Sequence, residues 1–220
     1  MTKLTEIFNL LRAEFCEESI NWYSRLQEKS VLMTEIISDG RTISTEETDL
    51  VRFNFLNIID VVCAGTNNSE EISRRVSDHK IVSTLKSVVQ GDPDSRIGTL
   101  NQLPFVGERS AVAVLAFLYP EDYAIVNRGI LTFLQVTNEE FRNTRLPDDL
   151  TWSSKIVGLS RSLCCQSSLV FSLQILMAVE KIMTTDVKQI PKKLCFEEKL
   201  EYKLNWILNE SKNTAPEIIS

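Results

Sequence analysis

The sequence predicts an all-α fold, a helical bundle arranged as one domain or as two lobes. Three observations carry that expectation. Gly and Pro number only 7 and 6 in 220 residues, too few to punctuate a sandwich of many short strands. Apolar residues recur at helical spacing through most of the chain. Helix-start signals, among them Ser44-x-x-Glu47 and Asp92-Pro93, stand directly before such periodic stretches.

Taken in order, Ile7, Leu10 and Leu11, then Ile20, Tyr23 and Leu26, mark one or two N-terminal helices that end in a loop near Ser38-Asp39-Gly40-Arg41. Ser44 and Glu47 then form a capping box, opening a helix that runs to about Gly65, a suitable left-handed stop. Leu50, Val51, Phe53, Leu56, Ile58, Ile59, Val61 and Val62 cover most of its circumference, so a central buried position is expected. Ser69 caps a short polar helix with Ile72 and Val76 inward. Ile81, Val82, Leu85, Val88 and Val89 form the next face, closed by Gly91.

Asp92 and Pro93 open a further helix, with Ile97, Leu100 and Leu103 at helical spacing. Ala111 to Leu118 is apolar enough for a buried helix and stops at Tyr119-Pro120. Another begins at Asn127 and carries Ile130, Leu131, Phe133 and Leu134; Asn143 to Asp149 reads as a loop. Two more helices follow, one from about Thr151 through Leu163, the other holding Leu169, Leu173, Leu176 and Ile182. Beyond the break at Pro191 comes a last amphipathic helix with Phe196, Leu200, Leu204 and Leu208, and the chain frays from about Asn213.

Composition narrows the functional classes. The formal net charge of −6 argues against extensive non-specific nucleic-acid binding but leaves room for a local site. No apolar run is long enough to cross a bilayer, and the N-terminus lacks the features of a signal peptide, so a cytoplasmic location and no membrane partner are expected, with nucleoid association if the protein is bacterial. Cys16, Cys63, Cys164, Cys165 and Cys195 form no Cys-x-x-Cys pair, and His79 is the only histidine. They read as reduced core thiols, with Cys164 and Cys165 buried at a helix end; no metal site, cofactor or Cys/His nucleophile is expected.

The chemistry concentrates in Leu103-Pro104-Phe105-Val106-Gly107-Glu108-Arg109. A helix ends near Leu103, Pro104 fixes the exit dihedral, and Gly107 permits a tight turn and a close approach by another backbone. The following helix starts at once, so open amides around Val106 to Arg109 point out from a positive dipole end, a site for a phosphate oxygen. Arg109 adds a charge-assisted contact. A plain corner between two helices uses Pro and Gly in the same way, and from turn composition both readings stand.

The pattern Leu100-x-x-Leu103-Pro104-x-Val106-Gly107-x-x-Ser110-Ala111, then an apolar helix, Pro120 and Tyr123-Ala124-Ile125-Val126-Asn127, resembles the helix-hairpin-helix DNA glycosylase superfamily. The likeness covers roughly Leu100 to Leu134, and the hairpin region as a whole spans residues 94–135. It implies a single all-α glycosylase-like domain over 1–220, or two lobes with a cleft between them. It also implies DNA as the partner, held by its backbone through Pro104, Phe105, Val106, Gly107, Arg109 and Arg128.

Three positions depart from that family. Phe105 stands where the first hairpin Gly is usual, and reads as a residue projecting beside the turn; packing against a sugar is the alternative. Arg109 occupies the position where bifunctional members carry a Schiff-base Lys, and an always-protonated guanidinium cannot be that nucleophile. It contacts phosphate, or is a solvated residue paired with a neighbouring carboxylate. Asn127 replaces the catalytic Asp. As the candidate catalytic residue it orients water but supplies no negative charge to a cationic transition state, whereas it caps the next helix as well as Asp does. Arg128 meets phosphate or lies solvated on the surface.

No other carboxylate has the spacing to be catalytic: Asp60 lies on the apolar Phe53–Val62 stretch, and Glu139 and Glu140 follow the helix that Asn127 opens. Trp22, Tyr23, Trp152 and Phe171 are available to a base-stacking pocket or, more simply, to the core. Three readings remain. The first is a DNA N-glycosylase without lyase activity, acting on a flipped base. The second is a DNA-binding module without turnover, and the third an all-α interaction domain whose corner never meets DNA.

Overall fold

The computed structural model describes residues 4, 6–8, 17–62, 68–187, 190–191 and 193–214, and every regular element among them is helical. Helix α1 (Glu17–Ser38) ends at the expected loop. Helix α2 (Thr45–Val62) begins at the expected cap, where Glu47 N donates to Ser44 Oγ at 3.2 Å and Ser44 N donates to Glu47 Oε2 at 2.9 Å. Arg41 braces this cap, bonding both Glu47 and Asp39, and Lys86 Nζ donates to the Arg41 carbonyl at 3.0 Å.

Val51, Phe55, Ile58 and Ile59 of α2 are fully buried, and the helix packs against α3 (Asn68–Arg75), α4 (Asp78–Gln90) and α6 (Glu108–Leu118). Its burial is one-sided. Phe53 is 54% exposed beneath the Lys29 ammonium, and Asn54 sits in the core, where Ser30 Oγ accepts from its amide. The proposed stop at Gly65, like Leu10, Leu11, Cys16 and Cys63, lies outside the described residues.

Helix α3 starts at Asn68, so Ser69 stands inside it rather than at its cap, while Ile72 and Val76 face inward as expected. Ser77 caps α4 by accepting from Lys80 N. Asp92 accepts from Asp94 N at the head of a 3-10 turn (Pro93–Ser95), which leads into α5 (Arg96–Leu100). Helix α6 is buried on every side from Ser110 to Leu118, which is why its sequence shows no polar face.

The remaining helices are α7 (Arg128–Thr137), α8 (Asp149–Ser162), α9 (Ser168–Thr184) and α10 (Phe196–Thr214). Helix α8 opens two residues before the expected Thr151, because Asp148 is the cap and accepts from Thr151 N at 2.6 Å. At its other end Cys165 N bonds Ser160 O and Cys164 N bonds Arg161 O, a Schellman arrangement that puts Cys164 at φ 53°. Cys164 is therefore exposed and Cys165 half-buried, not a buried pair: the residue that ends the helix faces water. Helix α10 continues through the expected fraying point to Thr214.

The chain divides into two units. One comprises Asn21–Asn127 and Leu146–Leu173; it holds α2 to α6 and α8. The other comprises Met1–Ile20, Arg128–Arg145 and Gln174–Ser220, in which α7 packs on α10. In this second unit Lys203, only 5% exposed, donates its ammonium to the Met183 carbonyl at 2.6 Å and the Thr185 carbonyl at 2.5 Å, satisfying the end of α9. No helix among the described residues is long and apolar enough to cross a membrane.

Candidate nucleic-acid interface

The hairpin is a loosening of one helix into the start of the next. Beyond Leu100, Asn101 N bonds Ile97 O, Leu103 N bonds Leu100 O at 3.0 Å, and Val106 N bonds Leu103 O at 3.2 Å. Leu103 and Val106 are buried at 1% and 4% exposure, anchoring the turn from beneath. Pro104 and Phe105 are left at its exposed tip.

Phe105 is the conformational pivot, with φ 65°. The left-handed region is disfavoured for a residue with a Cβ by about 1–2 kcal/mol. The position where the hairpin-family pattern places glycine therefore does have the geometry that favours glycine, and an aromatic residue occupies it. Gly107, by contrast, is extended (φ −85°, ψ 179°), a conformation open to any residue, and a Cβ built there meets nothing within 4 Å. The turn itself does not require glycine at 107; what glycine leaves is open space outside it.

Helix α6 begins at Glu108, and Ala111 N bonds Gly107 O. The amide of Val106 is consumed within the turn, so the open amides begin one residue later than expected. Those of Gly107, Glu108 and Arg109 have no acceptor among the described residues. Glu108 is turned aside: its Oε1 accepts from Leu150 N at 3.1 Å, at the start of α8. Arg109 Nη2 lies 3.2 Å from Asp149 Oδ1, which is the paired arrangement left open by the sequence.

A basic side chain that the sequence did not single out completes the surroundings. Arg75, in the last turn of α3, sets its guanidinium 5.2 Å from the Phe105 ring centroid, while its Nε is 2.9 Å from Glu71 Oε2. The Arg74-Arg75 pair was visible as a basic helix end, but nothing local linked it to position 105.

The segment from α6 to α7 is held by its backbone. Ser168 Oγ shares its single proton between the Pro120 and Tyr123 carbonyls, the latter at 2.5 Å; Ala124 N donates to Ser153 Oγ at 2.8 Å; and Arg161 Nη2 donates to Glu121 O at 2.6 Å. Ala124, Ile125 and Val126 are fully buried. Asn127, half-buried, directly precedes α7 and so stands at its N-cap position. It is the last residue of the first segment of the unit that contains the hairpin, and Arg128 opens the next segment, which belongs to the other unit.

Arg128 is engaged within that second unit. Its Nε and Nη2 bond Glu197 at 2.5 and 2.7 Å, and its guanidinium lies 5.3 Å from the Phe196 ring centroid. The arginine hydrogen bond holds the Glu197 carboxyl down to about 2, and Glu197 in turn raises Arg128 above its ordinary value. The same unit contains a polar depression of about 580 Å³ lined by Gln135, Arg142, Arg145, Glu197 and Glu201, and no predicted site residue lines it.

Asp60, Glu139 and Glu140 are exposed. Trp152 and Phe171 belong to the core at 7% and 0% exposure, whereas Trp22 is 45% exposed with its ring edge-on to Tyr23. Among the described residues no group of three or more His, Cys, Asp or Glu is placed to hold a metal ion. Comparison of the chain with family models, with curated proteins and with solved structures gives no match.

Proposed function

We propose that this protein binds DNA through its backbone at the Leu103–Gly107 turn, as helix-hairpin-helix proteins do, without removing a base. The observation that carries the proposal is the left-handed residue at 105 feeding directly into the extended Gly107 and the open amides of Gly107, Glu108 and Arg109. Those amides, at the positive end of a buried helix and beside unfilled space, suit a phosphate oxygen. In the Arg109–Asp149 pair 47% of the arginine side chain is accessible against 18% of the aspartate, so the guanidinium is half open to a phosphate, with Asp149 as its competitor. The reading without turnover is supported by position 127, where an amide replaces a charge, and by Arg109 at the position of the Schiff-base amine.

Titration of labelled duplex DNA by fluorescence anisotropy at several salt concentrations tests the binding. A protein of net charge −6 making two or three phosphate contacts gives a log–log salt slope of about −2 to −3. Gly107→Leu is a clean probe, because its backbone is allowed and its Cβ has room. It is expected to keep the helical content and lose roughly tenfold or more in affinity as the side chain fills the phosphate's place. Salt-independent binding, or full affinity in Gly107→Leu, removes the proposal. Abasic sites appearing in duplexes with modified bases would restore the hydrolase reading.

A further inference from the structure

Resting on the DNA-binding reading above, we infer that Phe105 is a stacking platform for an unpaired base, so that the preferred ligand is single-stranded DNA rather than an intact duplex. The turn places its most strained backbone at Phe105, yet the ring is not used to fill the core: it is 40% exposed, while Leu103 and Val106 do the anchoring. Glycine would make the same turn without strain, so the aromatic ring adds surface where folding does not ask for it. With Pro104 it forms an apolar tip.

The face of a duplex backbone is sugar and charged phosphate, and its bases are covered by their neighbours in the stack. There an aromatic tip meets only sugar edges, with no uncovered π-face to stack on. An unpaired base offers an uncovered π-face, and stacking on an aromatic side chain is tolerant of sequence. The Arg75 guanidinium lies over one face of the ring, 5.2 Å from its centroid, so a base stacks on the opposite face with a positive charge close by for its phosphate. The open amides of Gly107 to Arg109 hold backbone in either ligand; Phe105 discriminates between them.

The test measures anisotropy of a labelled mixed-sequence DNA oligonucleotide, its duplex and the RNA of the same sequence, with the wild type and with Phe105→Gly, Phe105→Leu and Phe105→Tyr. The wild type is expected to bind the DNA single strand roughly tenfold more tightly than the duplex. The ratio of single-strand to duplex affinity falls to about 1 in Phe105→Gly and Phe105→Leu, whatever the absolute duplex affinity, and Phe105→Tyr retains the ratio. Phe105→Gly relieves the left-handed strain, so its Tm is expected to hold or rise by roughly 2–4 °C, which separates loss of stacking from loss of fold. Equal binding of single strand and duplex by the wild type, or an undiminished preference in Phe105→Gly, overturns the inference and leaves backbone binding standing. Tighter binding of the RNA overturns the assignment to DNA. Absence of binding to every oligonucleotide overturns both.

Discussion

Arg109 and Asp149 meet at 3.2 Å, and their ion pair ties the first turn of α6 to the first turn of α8. The pair shares its surroundings with Glu108, whose carboxylate accepts from the Leu150 amide, so both charged residues of the hairpin helix's first turn are directed at α8. If phosphate binds at the α6 amides, Asp149 is its competitor for the guanidinium. Asp149→Asn is therefore expected to raise DNA affinity about threefold, and Arg109→Gln to lower it by a similar factor and reduce the salt slope by about 1. Anisotropy titrations of the two variants over a salt series check this. An Asp149→Asn protein that binds no better removes the competition argument.

Asn127 stands at the start of α7, where Asn and Asp serve equally as caps. Asn127→Asp is expected to fold with unchanged stability, whereas Asn127→Ala loses about 1 kcal/mol in urea unfolding. DNA affinity in Asn127→Ala stays within about twofold, since the hairpin amides lie elsewhere. A loss of binding as large as that of Gly107→Leu would place Asn127 at the ligand.

Among the described residues Glu47 and Glu197 are the carboxylates held down furthest, and Asp148 and Glu198 are lowered as well. Glu47 is held down to about 2, first by its hydrogen bond to Arg41 and then by the Ser44 amide, and Glu197 is held down to about 2 by Arg128. Both lie below the ordinary 4.5, so their contribution is complete above that pH and is lost as pH falls toward 2. The cap of α2 and the link between α7 and α10 are expected to loosen over that window. NMR titration of the Ser44 and Glu47 amides should give midpoints near 2; midpoints near 4.5 would mean the carboxylates are unpaired in solution. Ser44→Ala, which removes the side-chain half of the cap, is expected to cost about 1 kcal/mol.

Cys164 holds the left-handed position that ends α8, with φ 53°. Cys164→Gly is expected to raise stability by about 1 kcal/mol, because glycine occupies that region without a Cβ penalty. Thermal melts of this variant beside Cys165→Ser decide whether the gain is conformational. A matching gain in Cys165→Ser would trace it to thiol removal instead.

Helix starts were legible because caps are local. Ser44 with Glu47 and Asp92 before Pro93 each satisfy amides within three residues, so the signal lies in adjacent letters. The buried helix from Ala111 was equally plain, since full burial leaves no polar positions. Long-range pairings were not legible. Arg75 reaches Phe105, Arg109 reaches Asp149 and Arg128 reaches Glu197 across separate helices, and no periodicity announces which charges will meet. Turn strain was assigned to the wrong residue for a related reason. Glycine at 107 drew attention, but the backbone reverses at 105, and Phe is a letter that ordinarily indicates burial. Ser153 and Ser168 carry no local signal either, because their hydroxyls anchor a segment distant in sequence.

The fastening of residues 119–127 has a further consequence. Ser168, Ser153 and Arg161 all grip main-chain atoms of that segment, the carbonyls of Pro120, Glu121 and Tyr123 and the amide of Ala124. None of these bonds depends on which side chains the gripped residues carry. The segment is thus a socket whose path is set by main-chain bonds over 120–124 and by burial over Ala124 to Val126, so only an exposed position such as Glu121 is free to change its side chain without rerouting the chain.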